Sequence, residues 1–431
     1  MVDVAEVKIW GEFAGAVAWN EITQTASFEY DSTFLTKGLD LAPLIMPITS
    51  EKQIFSFPEL RGNTTFNGLP GLLADSLPDK YGNQLINTWL AEQGRAPNSM
   101  NPVEKLCFIG TRGMGALEFQ PAHFKKATYT FSIEVDSLVE LSKKILNQRE
   151  AFHANLSNNE KEALKHILKV GTSAGGMRAK AIIAFNEKTE EVRSGQTRTP
   201  KGFEHWLIKL DGVSDEQLGD PKGYGRIEMA YYLMAKDCEI EMMECRLLEE
   251  KENDRAHFMT RRFDREGSDV KHHIQTFCAM QHFNYNEVQS YSYEQLFQTM
   301  RLLRLPYPQA EQMYRRMVFN VLANNCDDHT KNFAFRLKEG GVWELAPAYD
   351  VSYSYDPFSK WVSQHALSIN SKRNNISKND LLAVAKSMNI KKADQIINQI
   401  NGIIKKWPAY AEQTKVAPGK RDAITSTLIS V

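Results

Sequence analysis

The sequence predicts an α+β fold in which strands come first and helices dominate the end of the chain. Residues 6–31 alternate apolar and polar side chains, as half-buried strands do. Two further apolar runs, at 180–185 and 205–210, are typical of buried strands. From Tyr291 onward a helical period dominates, and an apolar stripe between 310 and 322 leads directly into a polar loop.

With 431 residues, the chain is longer than one hydrophobic core usually serves, so we expect two or three domains. We place an N-terminal α/β subdomain at 1–125, a β-rich lobe at 126–262 and a helical lobe at 263–431. Pro78 and Asp79 precede a predicted helix over 80–92. A polar helical region, about 132–169, separates the first subdomain from the next block.

The bulk composition is that of an ordinary soluble protein, with 24% charged and 42% hydrophobic residues. The 52 basic and 53 acidic residues nearly cancel, so bulk electrostatics alone would not hold nucleic acid. Five cysteines without C-x-x-C spacing argue against a disulfide framework and a structural zinc site. The N-terminus lacks a signal-peptide pattern, and no apolar run approaches the roughly 20 residues that span a bilayer. We therefore expect a cytoplasmic protein without a membrane partner.

A glycine-rich turn over 171–176 lies before the strand 180–185. Glycine lets backbone N–H groups approach a phosphate closely, although this turn matches neither common phosphate-binding pattern. Taken alone, an ordinary turn is the simpler interpretation. Its position before a strand and a strand lysine favours the phosphate interpretation.

Lys209 lies inside the apolar strand 205–210, where an unpaired ammonium would be costly. It either extends to solvent from an edge strand or binds nucleotide phosphates. Glu228, in the first turn of the next predicted helix, either pairs with Lys209 or serves only as an acid near a helix N-terminus. The sequence leaves both alternatives open.

The most specific pattern is an Asp followed five positions later by an Asn and, after a short strand, by a second Asp. These residues are Asp327, Asn332 and Asp350. Phosphoryl transfer uses one carboxylate to orient the attacking hydroxyl, and an Asn oxygen with a second carboxylate to hold Mg²⁺ against ATP. The order therefore predicts an ATP- and Mg²⁺-dependent phosphotransferase.

Two neighbours of Asp327 require separate interpretations. Asp328 lacks the catalytic spacing, so we interpret it as a turn or capping residue, although it adds a negative charge beside a phosphate site. His329, two residues after Asp327, is a candidate donor to the transferred phosphate.

At this point the chain resembles the HipA family of toxin kinases. The resemblance rests on six segments spread over most of the chain: 72–79 (LLADSLPD), 173–180 (SAGGMRAK), 206–210 (WLIKL), 262–265 (RFDR), 328–333 (DHTKNF) and 347–352 (PAYDVS). It implies a two-lobed, protein-kinase-like fold, with a β-rich lobe that carries the extra N-terminal subdomain and an all-helical C-terminal lobe.

The resemblance also implies roles for individual residues. Asp327 would be the catalytic base, with His329 beside it, and Asn332 and Asp350 would bind Mg²⁺. Ser173 would be the site of inactivating autophosphorylation. The remaining residues share a role in nucleotide binding, with Phe263 lining the adenine pocket: Ser173, Gly175, Gly176, Lys180, Lys209, Glu228, Phe263 and Lys331.

Family resemblance further implies a bacterial serine/threonine kinase that acts as the toxin of a toxin–antitoxin pair. Its substrate would be a translation component, an aminoacyl-tRNA synthetase. Its partner would be a small, HipB-like DNA-binding antitoxin, through which it would reach operator DNA. Two alternatives stay open: a kinase-like corepressor scaffold with little turnover, and a small-molecule kinase.

Overall fold

The computed structural model describes residues 2–122, 132–147, 168, 171, 178–195, 199–213 and 223–431. The strands are β1 (Val4–Ile9), β2 (Glu12–Asn20), β3 (Thr25–Tyr30), β4 (Ile54–Ser56), β5 (Leu117–Gln120), β6 (Lys180–Asn186), β7 (Glu191–Ser194), β8 (Glu204–Lys209), β9 (Cys245–Glu250), β10 (Arg255–Arg261), β11 (Arg265–Glu266), β12 (Val270–Lys271), β13 (His273–Thr276), β14 (Tyr291–Ser292), β15 (Ala334–Leu337), β16 (Trp343–Leu345) and β17 (Leu367–Ser368).

The α-helices are α1 (Ser32–Leu35), α2 (Gly71–Ala74), α3 (Lys80–Glu92), α4 (Pro102–Ile109), α5 (Val135–Asn147), α6 (Tyr224–Asp237), α7 (Phe277–Gln281), α8 (Tyr293–Leu302), α9 (Tyr307–Leu322), α10 (Lys378–Met388), α11 (Ala393–Ile404), α12 (Trp407–Gln413) and α13 (Pro418–Thr425). Short 3₁₀ turns occupy Pro58–Leu60 and Thr330–Asn332. The predicted strands at 180–185 and 205–210 and the predicted helix at 80–92 are confirmed.

The first sheet has the strand order β4-β3-β2-β1-β5 and is built from antiparallel neighbours. Alternation explains its core: Ala5, Val7 and Ile9 are buried, whereas the intervening side chains of β1 are more exposed. The same hydrophobic core takes in α2 and α4. Residues up to 120 therefore form a sheet with helices against it.

The second sheet has the order β7-β6-β8-β10-β9 and is also antiparallel. In its register, Lys180 on β6 is paired with Lys209 on β8. Helix α3 packs into the core of this second sheet, because its buried Tyr81 and Leu85 belong to the same cluster as Ile208. The N-terminal region thus reaches the sheet that carries Lys209.

The C-terminal half has a helical core to which α6 and the helices from α8 to α13 contribute. The expectation of an all-helical region over 263–431 is wrong, however. Strands β13, β15 and β16 form a three-stranded sheet, and β14 pairs with β17. These strands are two to four residues long, too short for periodicity to reveal. The β15–β16 hairpin lies between the Asp327 loop and Asp350.

Candidate active site

Lys209, Glu228 and Asp350 form a cluster of alternating charge. Lys209 Nζ lies 2.5 Å from Glu228 Oε1 and also donates to Asp350 Oδ1. The predicted pairing of Lys209 with Glu228 is thereby confirmed as geometry, and the solvent-facing alternative is wrong. These residues come from β8, α6 and the segment after β16, so the fold brings three separate elements to one point.

Glycines and a buried Asp place Glu228. Helix α6 starts after Gly223, whose φ of 83° is the left-handed region that glycine adopts without steric cost. A side chain at Gly225 would lie 2.1 Å from the carbonyl oxygen of Ala256 on β10, so only glycine allows this close approach. The Asp211 carboxylate accepts from the backbone N–H groups of Gly223 and Ala256. Helix α6 therefore packs closely against the second sheet, with Glu228 facing β8.

Asp350 has a left-handed backbone conformation, with a φ of 55°. Asp tolerates this conformation better than most residues, although it remains less stable than the right-handed one. Its carboxylate is 36% exposed while it holds Lys209. The carboxylate is thus fixed on one side and open to the cleft on the other.

The charges in this cluster perturb one another. Burial opposes ionisation of Asp350, but Lys209 lowers the pKa of Asp350 to about 2. Burial disfavours the Lys209 ammonium, but Asp350 and Glu228 raise the pKa of Lys209. Burial raises the pKa of Glu228, against the opposing effect of Lys209. The ammonium therefore stabilises the ionised form of both carboxylates that it contacts.

The loop that carries Asp327 follows α9, which ends before Asn324, another left-handed residue with a φ of 50°. Asn332 Nδ2 donates to the backbone carbonyl of Asp327 at 2.6 Å. This hydrogen bond closes the loop and explains the five-residue spacing, because Asn332 must return to Asp327. Because Nδ2 makes this bond, Oδ1 is the side-chain atom of Asn332 that could bind a metal ion.

The Asp327 side chain is 48% exposed, and His329 Nε2 lies 3.8 Å from its Oδ1. His329 Nδ1 accepts from the backbone N–H of Lys331, which directs Nε2 towards Asp327. Desolvation by the cleft raises the pKa of Asp327, which Asp350 also raises and His329 lowers. A raised pKa makes a carboxylate a better proton acceptor.

Asp328 is neither a turn nor a capping residue, so that interpretation was wrong. Its side chain is fully buried and accepts hydrogen bonds from Tyr293 Oη at 2.7 Å, His365 Nδ1 at 2.9 Å and the backbone N–H of Ala366 at 2.7 Å. Burial opposes protonation of His365, but Asp328 raises the pKa of His365 to about 10. The negative charge that we expected beside the phosphate site is therefore neutralised behind the loop.

Two of the expected nucleotide-binding residues contact other groups. Lys180 Nζ lies 2.9 Å from Asp79 Oδ2, in a buried ion pair. Lys331 Nζ lies over the Tyr285 ring, 4.9 Å from its centroid. Burial opposes its charge, but Cys278 and Asp75 raise the pKa of Lys331. Both lysines are thus directed towards the N-terminal region.

Phe263 is 9% exposed and stacks on Tyr349, with ring centroids 5.5 Å apart. Ala334 and Ala346 complete this small apolar cluster, which lies between β10 and the strands that lead to Asp350. Ser173, Gly175 and Gly176 lie outside the described residues. The glycine-rich turn therefore stays a prediction.

The donor set fits Mg²⁺ held together with nucleotide phosphates. One amide oxygen and one carboxylate, from Asn332 and Asp350, are hard oxygen ligands of the kind that Mg²⁺ prefers. Within the described part of the chain, no group of three or more His, Cys, Asp or Glu side chains is arranged to hold a metal ion. An all-protein metal cage is thus not found there, whereas two protein ligands completed by phosphates match the usual Mg²⁺ arrangement.

Sequence reasoning assigned no role to Arg316, which lies in α9 beneath the site. Its guanidinium is buried, and its Nε and Nη2 atoms have no hydrogen-bond partner among the residues that the structure describes. It lines a small cavity with Asn325, Asn332 and Asp350. Burial lowers the pKa of Arg316 to about 10. The sequence signal for Arg316 was its charge within the apolar stripe between 310 and 322.

The fold and this cleft define a mixed α/β protein with a lysine–carboxylate cluster opposite an Asp-x4-Asn loop. A family model described as the HipA-like C-terminal domain matches residues 172–407, more than half of the chain. A second model, the HipA N-terminal domain, matches residues 5–120. The chain belongs to the HipA family.

Solved structures agree with this fold. The chain is similar to HipA from Shewanella oneidensis, solved as a toxin–antitoxin complex of HipA, HipB and operator DNA. The TM-score is 0.66 at 16% identity, over 98% of this chain and 94% of that one. A comparison with the Helicobacter pylori proinflammatory kinase CtkA spans 59% of this chain and 90% of that one, at 12% identity. The TM-score of 0.35 is too low to support a conclusion about this chain.

No curated protein matches the chain. Among the described residues, no helix combines the length and apolar character needed to cross a membrane.

Proposed function

We propose that the protein is a Mg²⁺- and ATP-dependent serine/threonine protein kinase that acts as the toxin of a toxin–antitoxin pair. The observation that carries this proposal is the convergence of Lys209, Glu228 and Asp350. Their charges alternate, and Asp350 keeps an open side towards the cleft. An ion-pair cluster that only stabilises the fold does not need a carboxylate that is one third exposed. A carboxylate that binds a metal ion must be accessible.

In this proposal each side chain has one task. Lys209 binds the ATP phosphates, and Glu228 holds Lys209 in place. Asn332 and Asp350 hold Mg²⁺, which neutralises charge on the transferred phosphoryl group. Asp327 orients the serine or threonine hydroxyl and accepts its proton as the oxygen attacks the γ-phosphorus and the bond to ADP breaks. His329 and Lys331, from the same loop, both lie against the Tyr285 ring.

We further propose that Ser173 is autophosphorylated and that this inactivates the enzyme. A phosphate adds nearly two negative charges to the glycine-rich turn and would repel the ATP phosphates. The protein substrate would be an aminoacyl-tRNA synthetase, as the family resemblance implies. The partner would be a small DNA-binding antitoxin, since the similar Shewanella oneidensis chain was solved with HipB and operator DNA.

The proposal is tested by incubating the protein with γ-labelled ATP and Mg²⁺, followed by mapping of phosphorylated peptides. We expect label on Ser173 in the unsubstituted chain and none in D350N. The matched control is D356N, because Asp356 lies six residues further along in an exposed loop, where its carboxylate accepts from the Phe358 N–H. Equal labelling of D350N and D356N would contradict the proposed metal ligand.

A corepressor scaffold is the second candidate, favoured by the similarity over 98% of the chain to a protein solved on operator DNA. It predicts that the chain binds antitoxin and nucleotide but transfers no phosphate. A transfer assay in the presence and absence of the co-purified antitoxin separates the two functions. Label transfer by the free chain would exclude a purely structural role.

A further inference from the structure

The ion pair between Asp79 and Lys180 joins the N-terminal region to the strand face that carries Lys209. Asp79 Oδ2 accepts from Lys180 Nζ at 2.9 Å, and the two side chains are 10% and 3% exposed. Solvent screens this pair little, unlike the exposed ion pairs whose contribution is usually small. The contact is therefore a specific charge interaction inside an interface.

The strand register makes this pair relevant to the nucleotide site. Lys180 on β6 lies opposite Lys209 on antiparallel β8. Side chains at paired positions point to the same face, with Cβ atoms about 4.5–5.5 Å apart, and like charges placed there repel each other. Glu228 and Asp350 neutralise Lys209. Asp79 supplies a carboxylate for Lys180.

The Asp79 carboxylate is fixed from its own side as well. Its Oδ1 accepts from the Gly82 N–H at 2.7 Å and so caps helix α3. The buried face of α3 packs in the same core as β6 and β8. Helix packing thus sets the position of the carboxylate, which in turn sets the position of the Lys180 ammonium.

We propose that Asp79 is a positioning residue of the nucleotide site, which holds the Lys180 ammonium beside Lys209 and away from Asp350. Without Asp79, the Lys180 ammonium would lose the carboxylate that holds it and would be attracted by Asp350, where it would compete with Mg²⁺. The N-terminal region would then be part of the nucleotide site. This inference rests on the proposed function, because it assumes that ATP phosphates and Mg²⁺ bind at Lys209 and Asp350.

The test is a double-mutant cycle on the full chain, with the Kd for Mg²⁺–ATP measured by calorimetry. Asp79→Asn retains a good helix cap, because Asn caps as well as Asp, but removes the charge. We expect D79N to raise the Kd about fivefold or more and K180M to change it by less than about twofold. The double variant should bind as K180M does, because the ammonium that would compete with Mg²⁺ is absent. A wild-type Kd for D79N, or effects that multiply in the double variant, would overturn the inference.

The matched control is D31N, since Asp31 also caps a helix of the N-terminal region, through the Thr33 and Phe34 N–H groups. D31N should bind Mg²⁺–ATP as the unsubstituted chain does. The Mg²⁺ concentration for half-maximal ATP binding should rise in D79N and not in D31N. A loss of packing alone would not produce that difference. If D79N does not fold, D79S replaces it in the same cycle, because Ser also caps a helix well without charge, and a wild-type Kd for D79S overturns the inference.

K209M separates this inference from the proposed function. If the unsubstituted chain does not bind Mg²⁺–ATP, or if K209M binds it normally, the proposed function fails. If K209M loses binding while D79N keeps it, the nucleotide site stands and only the role of Asp79 fails.

Discussion

Asp327 and Asp328 are neighbours in the chain, but their carboxylates lie in opposite environments. Asp327 is 48% exposed in the cleft, whereas Asp328 is fully buried behind the same loop. Asp328 accepts three hydrogen bonds, one of them from the charged ring of His365, whereas Asp327 has a single distant partner in His329. A carboxylate whose acceptor sites are filled stabilises the fold, and one whose sites are open remains available for chemistry.

The same contrast separates the two lysines of the second sheet. Lys180 is enclosed by its contact with Asp79, whereas Lys209 is 20% exposed and shares two carboxylates. At the Asp327 loop and at the second sheet, a buried ion pair therefore lies beside a charged side chain that is partly exposed. The buried pairs stabilise the structure that positions the open groups.

The largest effect, on the free energy of unfolding, is expected from substitution of Asp328, which is buried behind the Asp327 loop. In D328N, the amide N–H₂ replaces one of the two carboxylate oxygens, so it would face either the Ala366 N–H or both Tyr293 Oη and His365 Nδ1, all of which donate. His365 would also lose its counter-charge. Breaking such a buried pair costs roughly 3–5 kcal/mol. The free energy of unfolding in urea should fall by about that amount, and the exposed D356N should change it by less than about 0.5 kcal/mol. A D328N variant with the same free energy of unfolding as the unsubstituted chain would contradict the structural role of Asp328.

Removal of Lys209 should come next. K209M lacks the ammonium that we place on the ATP phosphates, and donors at such positions are worth about a hundredfold or more in rate. Phosphoryl transfer at saturating Mg²⁺ should fall by that factor, measured with labelled ATP. The variant should stay folded, because methionine fills the partly exposed position. If folded K209M transfers phosphate at an unchanged rate, the cluster of Lys209, Glu228 and Asp350 serves only to stabilise the fold.

Glu228 should have a smaller effect, because Lys209 keeps Asp350 as a partner. A hydrogen bond to a charged group is worth about 1.5 kcal/mol or more, so E228Q should slow transfer about tenfold. Comparison with K209M in the same assay provides the measurement. A loss in E228Q as large as that in K209M would mean that Glu228 does more than hold the lysine.

A pH dependence of stability should follow from His365. Its folded-state pKa of about 10 lies above the unfolded value of 6.5, so its contribution is complete below pH 6.5 and is lost as the pH rises towards 10. The free energy of unfolding should therefore decrease over this interval. Subtraction of the same curve for H365Q isolates the contribution. Parallel curves for both proteins would contradict the charged His365–Asp328 pair.

Local signals in the sequence predicted those parts of the fold that depend on neighbouring residues. Helix α3 begins directly after Asp79, because the cap and the apolar period agree. The Asp327–Asn332 spacing corresponds to a hydrogen bond inside one short loop. The cost of burying an isolated charge gave the pairing of Lys209 with Glu228 as one of two alternatives, and the structure shows that pairing.

Contacts between distant residues could not be predicted in this way. Asp328 was misinterpreted because its partner His365 lies 37 positions later and nothing in the sequence links them. Asp79 and Lys180 both lie in segments that were singled out, but they are 101 positions apart. The short strands β13 and β15 pair across more than fifty residues, and each is too brief to show a period.

The most direct test of the central claim is phosphoryl transfer by D327N, measured beside its affinity for Mg²⁺–ATP and its free energy of unfolding. If Asp327 is the open, reactive carboxylate of the pair, transfer falls by about a hundredfold or more while affinity and stability stay near those of the unsubstituted chain. A folded D327N that transfers phosphate at the normal rate would contradict the account.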